Sequence, residues 1–175
     1  MSERSQVLII AGVAGAGKTT VARLLAVDLG WAFCEGDDFH SAGNLQKMGA
    51  GVPLTDEDRW PWLQGLKRRL DRAIREDRSL VVACSLLKES YRNFLINDLD
   101  SVRAVFLQAD EHLVKERLSR RSPHFFSKEL LQSQLEAWEE PQEGIVVDAS
   151  QAPAEIVREI KKKLRLNKKI RNPNS

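Results

Sequence analysis

Residues 12–19 read Gly-Val-Ala-Gly-Ala-Gly-Lys-Thr, an unbroken G-x-x-x-x-G-K-[ST] match, and no other stretch limits the fold so strongly. It follows the apolar run at 7–11 and precedes a helical pattern at 21–29. A strand, a glycine loop and a helix in that order gather successive backbone N–H groups at a helix N-terminus, where the helix dipole favours an anion. Gly12, Gly15 and Gly17 admit backbone angles that a Cβ would block. Lys18 would reach the outer phosphates of a nucleotide, and the Thr19 hydroxyl would hold Mg²⁺. A chance glycine-rich turn is the alternative, and the flanks on both sides argue against it.

The rest of the chain alternates apolar runs with helical spacing. Strands are expected at 7–11, 31–34, 80–84, 102–107 and 145–148. The first helix should stop at Gly30, a good C-cap. Residues 39–54 hold glycines at 43, 49 and 51, so they are expected to be irregular or to contain one short helix. Thr55-Asp-Glu-Asp58 resembles a capping arrangement, Pro61 would fall in a first turn, and Trp62, Leu63, Leu66, Leu70 and Ile74 carry a helix to about 77. Further helices are expected at 91–99, 111–119, 128–138 and from 154. This alternation implies α/β architecture: one domain over 1–175, a five-stranded parallel sheet flanked by helices, with right-handed crossovers. Ligands of such sheets bind at the carboxyl ends of the strands. Here those ends deliver the glycine loop, Glu35 with Asp37 and Asp38, Ser85 with Lys88, and Asp148.

Composition excludes several classes. No apolar run approaches bilayer length, and the polar start, which carries an acid, resembles neither a secretory nor a mitochondrial leader, so a cytoplasmic protein without a membrane partner is expected. Cys34 and Cys84 read as reduced core thiols. The net charge of +2 hides an asymmetry: residues 161–175 hold seven Lys or Arg and no acid, and taking those seven from 27 leaves 20 bases against 25 acids. No aromatic interleaves this tail, so a solvated terminus is expected rather than a nucleic-acid arm. No His/Cys set has zinc spacing, and no Ser/His/Asp order suggests a hydrolase.

Phosphoryl transfer needs a carboxylate near the reacting hydroxyl and positive charge on the migrating group. Strand alternation would turn Glu35 toward the metal and Asp37, on the same side, toward the acceptor as its proton acceptor. Arg117, Arg120 and Arg121 close a helix before Ser122-Pro123-His124-Phe125-Phe126, so they either answer the helix dipole or ride a flap that closes over triphosphate. His40 and His124 are candidates for a general base, although a lone histidine near a loop more often hydrogen-bonds or packs, and His112 reads as an exposed helix residue.

Taken together, Gly12 to Thr19, Asp37-Asp38-Phe39-His40, Asn44, Lys47-Met48, Gly51, Pro53-Leu54, Asp56, Asp58-Arg59 and Pro61-Trp62-Leu63 resemble the gluconate kinase family of small P-loop kinases. Cys84-Ser85, Lys88, Tyr91-Arg92, Arg117, Arg121, His124-Phe125, Leu130-Leu131, Ser133-Gln134 and Glu136 continue the likeness over nearly the whole chain. The resemblance implies a fold similar to shikimate and nucleoside monophosphate kinases, with a lid at about 118–130. It implies transfer of the γ-phosphoryl group of ATP, with Mg²⁺, to the 6-hydroxyl of D-gluconate by a cytoplasmic homodimer. Carried over residue by residue, Lys18, Asp37 and Arg121 are catalytic. Gly12, Gly15, Ala16, Gly17, Lys18, Thr19, Thr20, Arg117 and Arg121 bind nucleotide. Asp37, His40, Arg59, Lys88, Arg92 and His124 meet the sugar acid, and Thr19 and Glu35 meet the metal. Glu35 stands where the family commonly has Asp, Leu86 where Ala is usual and could shrink the sugar pocket, and Pro123 where Gly is common. Ala14 and Ala16 stand where Ser is frequent, a small change because backbone N–H groups do the binding. The alternatives are a kinase of the same scaffold for shikimate, a nucleotide or another acid, and a nucleotide-gated module whose tail binds RNA.

Overall fold

The computed structural model describes residues 6–96, 101–120 and 128–166. Strand β1 (Val7–Ala11) leads through the glycine loop into helix α1 (Lys18–Leu29), then β2 (Ala32–Glu35), a 3₁₀ turn (Gly36–Phe39), α2 (Ala42–Gly49) and α3 (Asp56–Arg75). There follow β3 (Leu80–Ala83), α4 (Glu89–Leu95), β4 (Val102–Gln108), α5 (Glu111–Ser119), α6 (Lys128–Ala137), β5 (Ile145–Asp148) and α7 (Pro153–Leu164). All strand pairings are parallel, in the order β2-β3-β1-β4-β5. The chain builds outward from β1 in both directions, so the loop after β1 sits at the switch point of the sheet, where such folds open a crevice.

Period-two alternation divides the core into two layers. Leu8 and Ile10 of β1, Val81 and Ala83 of β3, and Val105 and Leu107 of β4 pack under α1 and α7. Val7, Ile9, Leu80, Val82, Ala104 and Phe106 face the other way, against Trp62, Leu63, Leu66 and Leu70 of α3 and Tyr91 of α4. A strand buried on both faces must be apolar at every position, as β1 and β3 are.

Local signals explain the helix ends. Gly30 takes φ 70°, and the bond from Trp31 N to Ala26 O (2.9 Å) closes the terminus of α1. At α3, Thr55 Oγ1 accepts from Asp58 N (3.3 Å) while the Asp58 carboxylate accepts from Thr55 N (3.0 Å), a complete capping box. Pro61 lies deeper than the first turn expected of it, as the sixth residue of α3. It denies Glu57 a helical partner, and α3 tolerates this because both residues are exposed and water can reach the carbonyl. Residues 39–54 do contain one short helix, α2, with Gly43 and Gly49 inside it. The helix expected at 91–99 runs from 89 to 95, and residues 97–100 lie outside the described set. Both cysteines are free; Cys84 is fully enclosed, and burial pushes its thiol up to about 12. Among the described residues no helix is long and apolar enough to cross a membrane. Much of the basic tail lies outside them, but Lys161 pairs with Asp28, and Lys163 with Glu159 (2.7 Å) and Val146 O (3.0 Å).

Candidate active site

The glycine loop turns back over its own first residue. Gly12 has φ 144°, and a Cβ there would stand 2.9 Å from Leu107 O on the neighbouring strand, so no other residue fits. The Lys18 ammonium lies along the loop and donates to Val13 O (3.0 Å). One loop amide, Ala14 N, donates to Gln134 Oε1 of α6 (2.8 Å), which ties the helix after the expected lid to the cradle. Thr19 Oγ1 donates to Glu35 Oε2 (2.8 Å), joining the start of α1 to the end of β2. Burial raises the Glu35 carboxyl above its ordinary value, the neighbouring Asp37 adds to this, and the Thr19 hydrogen bond and Lys18 oppose it.

Two recesses flank this loop. The larger, a cavity of about 450 Å³, brings together Lys18, Thr19, Glu35, Asp37, His40 and Arg59. Met48, Leu54, Trp62, Leu118 and Leu130 supply apolar wall. The second, about 320 Å³, lies behind the loop between Gly17, Thr20, Arg117, Arg120, Gln151 and Pro153. Arg117 donates to Ala16 O (3.1 Å) and to Ala149 O (2.7 Å), spanning the glycine loop and the turn after β5. Arg120 is exposed and pairs with Glu116 of its own helix.

Asp37 reaches the cleft by a route other than strand alternation. The strand ends at Glu35, and the 3₁₀ turn that starts at Gly36 carries Asp37 to the rim, where its side chain is 66% exposed. Behind it, the His40 side chain is 5% exposed and stacked on Trp62, with ring centroids 4.5 Å apart and planes 13° from parallel. Burial lowers the His40 pKa from its ordinary value, Arg59 lowers it further, and Asp37 opposes both.

Two expected substrate cations are not brought into the cleft. The Lys88 ammonium contacts both oxygens of Asp56 (2.9 and 2.8 Å), and Tyr91 OH donates to the same carboxylate. Arg92 is buried, its guanidinium donating to Leu86 O (3.0 Å), Leu87 O (3.0 Å) and Glu139 O (2.5 Å). It lies between the rings of Phe106 (4.9 Å) and Trp138 (5.0 Å), and burial lowers its pKa. Three carbonyls and two rings hold this cation on the loop after β3, away from the cleft. Arg59 alone of the three faces the cleft, its Nη1 3.3 Å from Tyr91 OH and 3.9 Å from Asp56 Oδ1.

Other expectations change too. Leu86 does not narrow the cleft: at φ 42° it turns fully into the core, and its neighbours Ser85 and Leu87 line the cavity instead. Asp148 is spent on its own turn, accepting from Ser150 N and Oγ (both 2.8 Å). His112 is exposed, as its helix position suggests. Arg121, Pro123 and His124 lie outside the described residues. Trp62 and Gln134 line the larger recess and Asn44 lies 3.3 Å from His40 behind it, all without site roles given from sequence, although the family-like motifs contain all three.

The AAA domain family pattern matches residues 7–144. A gluconokinase of Gluconobacter oxydans (strain 621H) is 42% identical over 141 residues, covering 81% of this chain and 79% of its own. The crystal structure of a gluconokinase from Sinorhizobium meliloti 1021 superposes with a TM-score of 0.83 at 39% identity, covering 93% of each chain. This chain belongs to the gluconokinase family. Its scaffold is the wider P-loop kinase fold: shikimate kinase from Aquifex aeolicus vf5 matches at a TM-score of 0.66 and 20% identity, covering 91% of this chain and 96% of its own. Within this gluconokinase-family framework the larger recess gathers lysine, carboxylate, imidazole and guanidinium groups, and the smaller one adjoins the glycine loop, Arg117, Arg120 and the start of α7.

Proposed function

We propose that this protein transfers the γ-phosphoryl group of ATP to the 6-hydroxyl of D-gluconate. The observation that carries the reading is the convergence, in one cavity, of a phosphate loop with its lysine, an exposed carboxylate at Asp37, and a cation at Arg59. Membership of the gluconokinase family supplies the acceptor class. A sugar acid asks for a cation at its carboxylate end and hydrogen-bonding groups along its hydroxyls, and Arg59 and His40, both lining the cavity, meet those needs.

In this reading the loop amides and Lys18 bind and orient the phosphates, and Arg117 supports the loop from behind. Thr19 and Glu35 suit Mg²⁺, since both present hard oxygens 2.8 Å apart at the foot of the loop. Phosphate oxygens and water would complete the coordination of such an ion. When bound, the ion neutralises charge on the phosphates. Asp37 takes the proton of the attacking hydroxyl. Apolar wall residues exclude water that would otherwise compete with the acceptor. Residues 118–130 would form the lid, with Arg121 and His124 upon it, and the chain would act as one cytoplasmic domain in a homodimer. The family resemblance supports these last points.

The test is acceptor-dependent ADP release over gluconate, other sugar acids, shikimate and nucleoside monophosphates. The expected outcome is turnover with gluconate well above every other acceptor. Equal or greater turnover with another acid would replace the acceptor assignment.

A further inference from the structure

Asn44 is buried on the first turn of α2, 6% exposed, and its backbone N–H is already capped by Ser41 Oγ (3.1 Å). Its side chain is therefore free to bridge elements. Nδ2 donates to the Asp58 carbonyl of α3 (2.7 Å) and lies 3.3 Å from His40 Nδ1. A carbonyl oxygen can only accept, so the amide must present its NH₂ to Asp58, and its second hydrogen then points at the imidazole. His40 Nδ1 is thereby required to accept, and the ring proton must sit on Nε2. Trp62 fixes the plane of that ring by stacking and is itself anchored by Nε1 donating to Gly36 O (2.7 Å). Nε2 lies 3.9 Å from Asp37 Oδ1, and both residues line the cleft.

We propose that Asn44 is a positioning residue of the acceptor site. By holding His40 in the neutral Nε2–H form it makes the imidazole an obligatory hydrogen-bond donor beside Asp37, leaving Asp37 as the proton acceptor. This rests on the kinase reading above. In the transfer step the hydroxyl oxygen bonds to the γ-phosphorus while the bond to the bridging oxygen of the leaving diphosphate breaks. The hydroxyl proton goes to the Asp37 carboxylate, and His40 keeps its own.

The separation of 3.9 Å is too long for a direct hydrogen bond, so the donor and the carboxylate are both available to a polyol seated between them. A donor and an acceptor side by side match a chain of adjacent hydroxyls, each of which can accept and donate. The groups facing His40 come from three elements: Asp37 on the 3₁₀ turn, Asn44 on α2, and Arg59 with Trp62 on α3. Of the charged pair, Arg59 opposes an imidazolium and Asp37 favours one, and burial decides for the neutral ring.

The experiment reads the tautomer directly, by long-range ¹H–¹⁵N correlation on ring-labelled protein at pH 7.5, with His40→Gln identifying its signal among the three histidines. The wild-type ring should show the neutral Nε2–H pattern. Asn44→Asp places an acceptor against Nδ1 and should abolish that pattern, lower kcat by about 10–100-fold, and leave KM for ATP within about twofold. An Nδ1–H tautomer in the wild-type protein would overturn the proposal, whether or not the variant folds. So would an Asn44→Asp enzyme that loses the Nε2–H pattern and keeps wild-type kcat. Failure of the gluconate assignment would register separately, as absent acceptor-dependent turnover in wild-type protein whose His40 signal is as expected.

Discussion

Gly36 joins the sheet to the 3₁₀ turn that carries Asp37, and the contact it makes there can be turned into a quantitative test. Its φ is not in the left-handed region, so alanine is not barred by backbone conformation. What bars it is space. A Cβ on Gly36 would stand 2.5 Å from Ala83 O, where ordinary contact begins at 3.4 Å, and 3.2 Å from Cys84 Cβ. The obstacle is a main-chain carbonyl at the end of buried β3, so the 3₁₀ turn must retreat by nearly 1 Å. Overpacking of this kind costs about 1–3 kcal/mol. At about 2–4 °C per kcal/mol for a chain of this size, Gly36→Ala should lower Tm by roughly 2–12 °C. The larger consequence is catalytic: Asp37 follows directly on the displaced residue, and a misplacement of about 1 Å can cost about 10²-fold in rate. The Trp62 bond to Gly36 O would be strained by the same movement, disturbing the plate under His40. The glycine loop hangs from β1 and should be spared. Acceptor-dependent ADP release at saturating substrates, calorimetric titration with nucleotide and a thermal melt together give the answer. Expected are a kcat about 10²-fold lower and nucleotide affinity within about twofold of wild type. A kcat within about threefold of wild type alongside an unchanged Tm would refute the steric reasoning.

Asp37→Asn should lower kcat by roughly 10²–10⁴ with nucleotide binding retained, and single-turnover kinetics at wild-type rate would remove Asp37 from the proton-transfer role. Arg59→Ala should raise KM for the sugar acid about tenfold or more while KM for ATP moves little, and equal effects on both would contradict its assignment to the carboxylate end. The Asp56 pair makes a pH prediction: hydrogen bonds from Lys88 first and Tyr91 second hold the Asp56 carboxyl below its ordinary 3.8, and Asp56 holds Lys88 above its ordinary 10.5. The depressed acid contributes stability fully present above 3.8 and lost as pH falls through its lowered value, while the raised lysine contributes stability fully present below 10.5 and lost as pH rises through its raised value. Urea unfolding should therefore find Asp56→Asn less stable than wild type by about 0.2–1 kcal/mol at neutral pH, since the pair is open to water, with the difference shrinking toward pH 2–3. A difference that grows in acid would contradict the pairing.

What sequence alone determined about this protein is what local chemistry enforces. The glycine loop needs its φ values, the Thr55–Asp58 box needs two side chains three residues apart, and an enclosed strand must be apolar throughout. The order of strand, loop and helix follows from residues that are neighbours in the chain, so those elements and the shape of the glycine loop were legible there. Residues that meet across long separations were not. Lys88 and Arg92 carry the right charge in a family-like motif. Yet Asp56, 32 positions from Lys88, and Glu139, 47 from Arg92, claim them once the chain is folded. Leu86 looked like a pocket residue until a positive φ turned it inward, and Asp37 arrives on a 3₁₀ turn rather than by strand alternation. The proton on His40 is decided by an amide on α2 that is itself aligned by a carbonyl on α3. Spacing along a chain reports which side chains a local backbone can present. The partner each one finds depends on competing donors and acceptors from other elements, and only tertiary packing chooses among them.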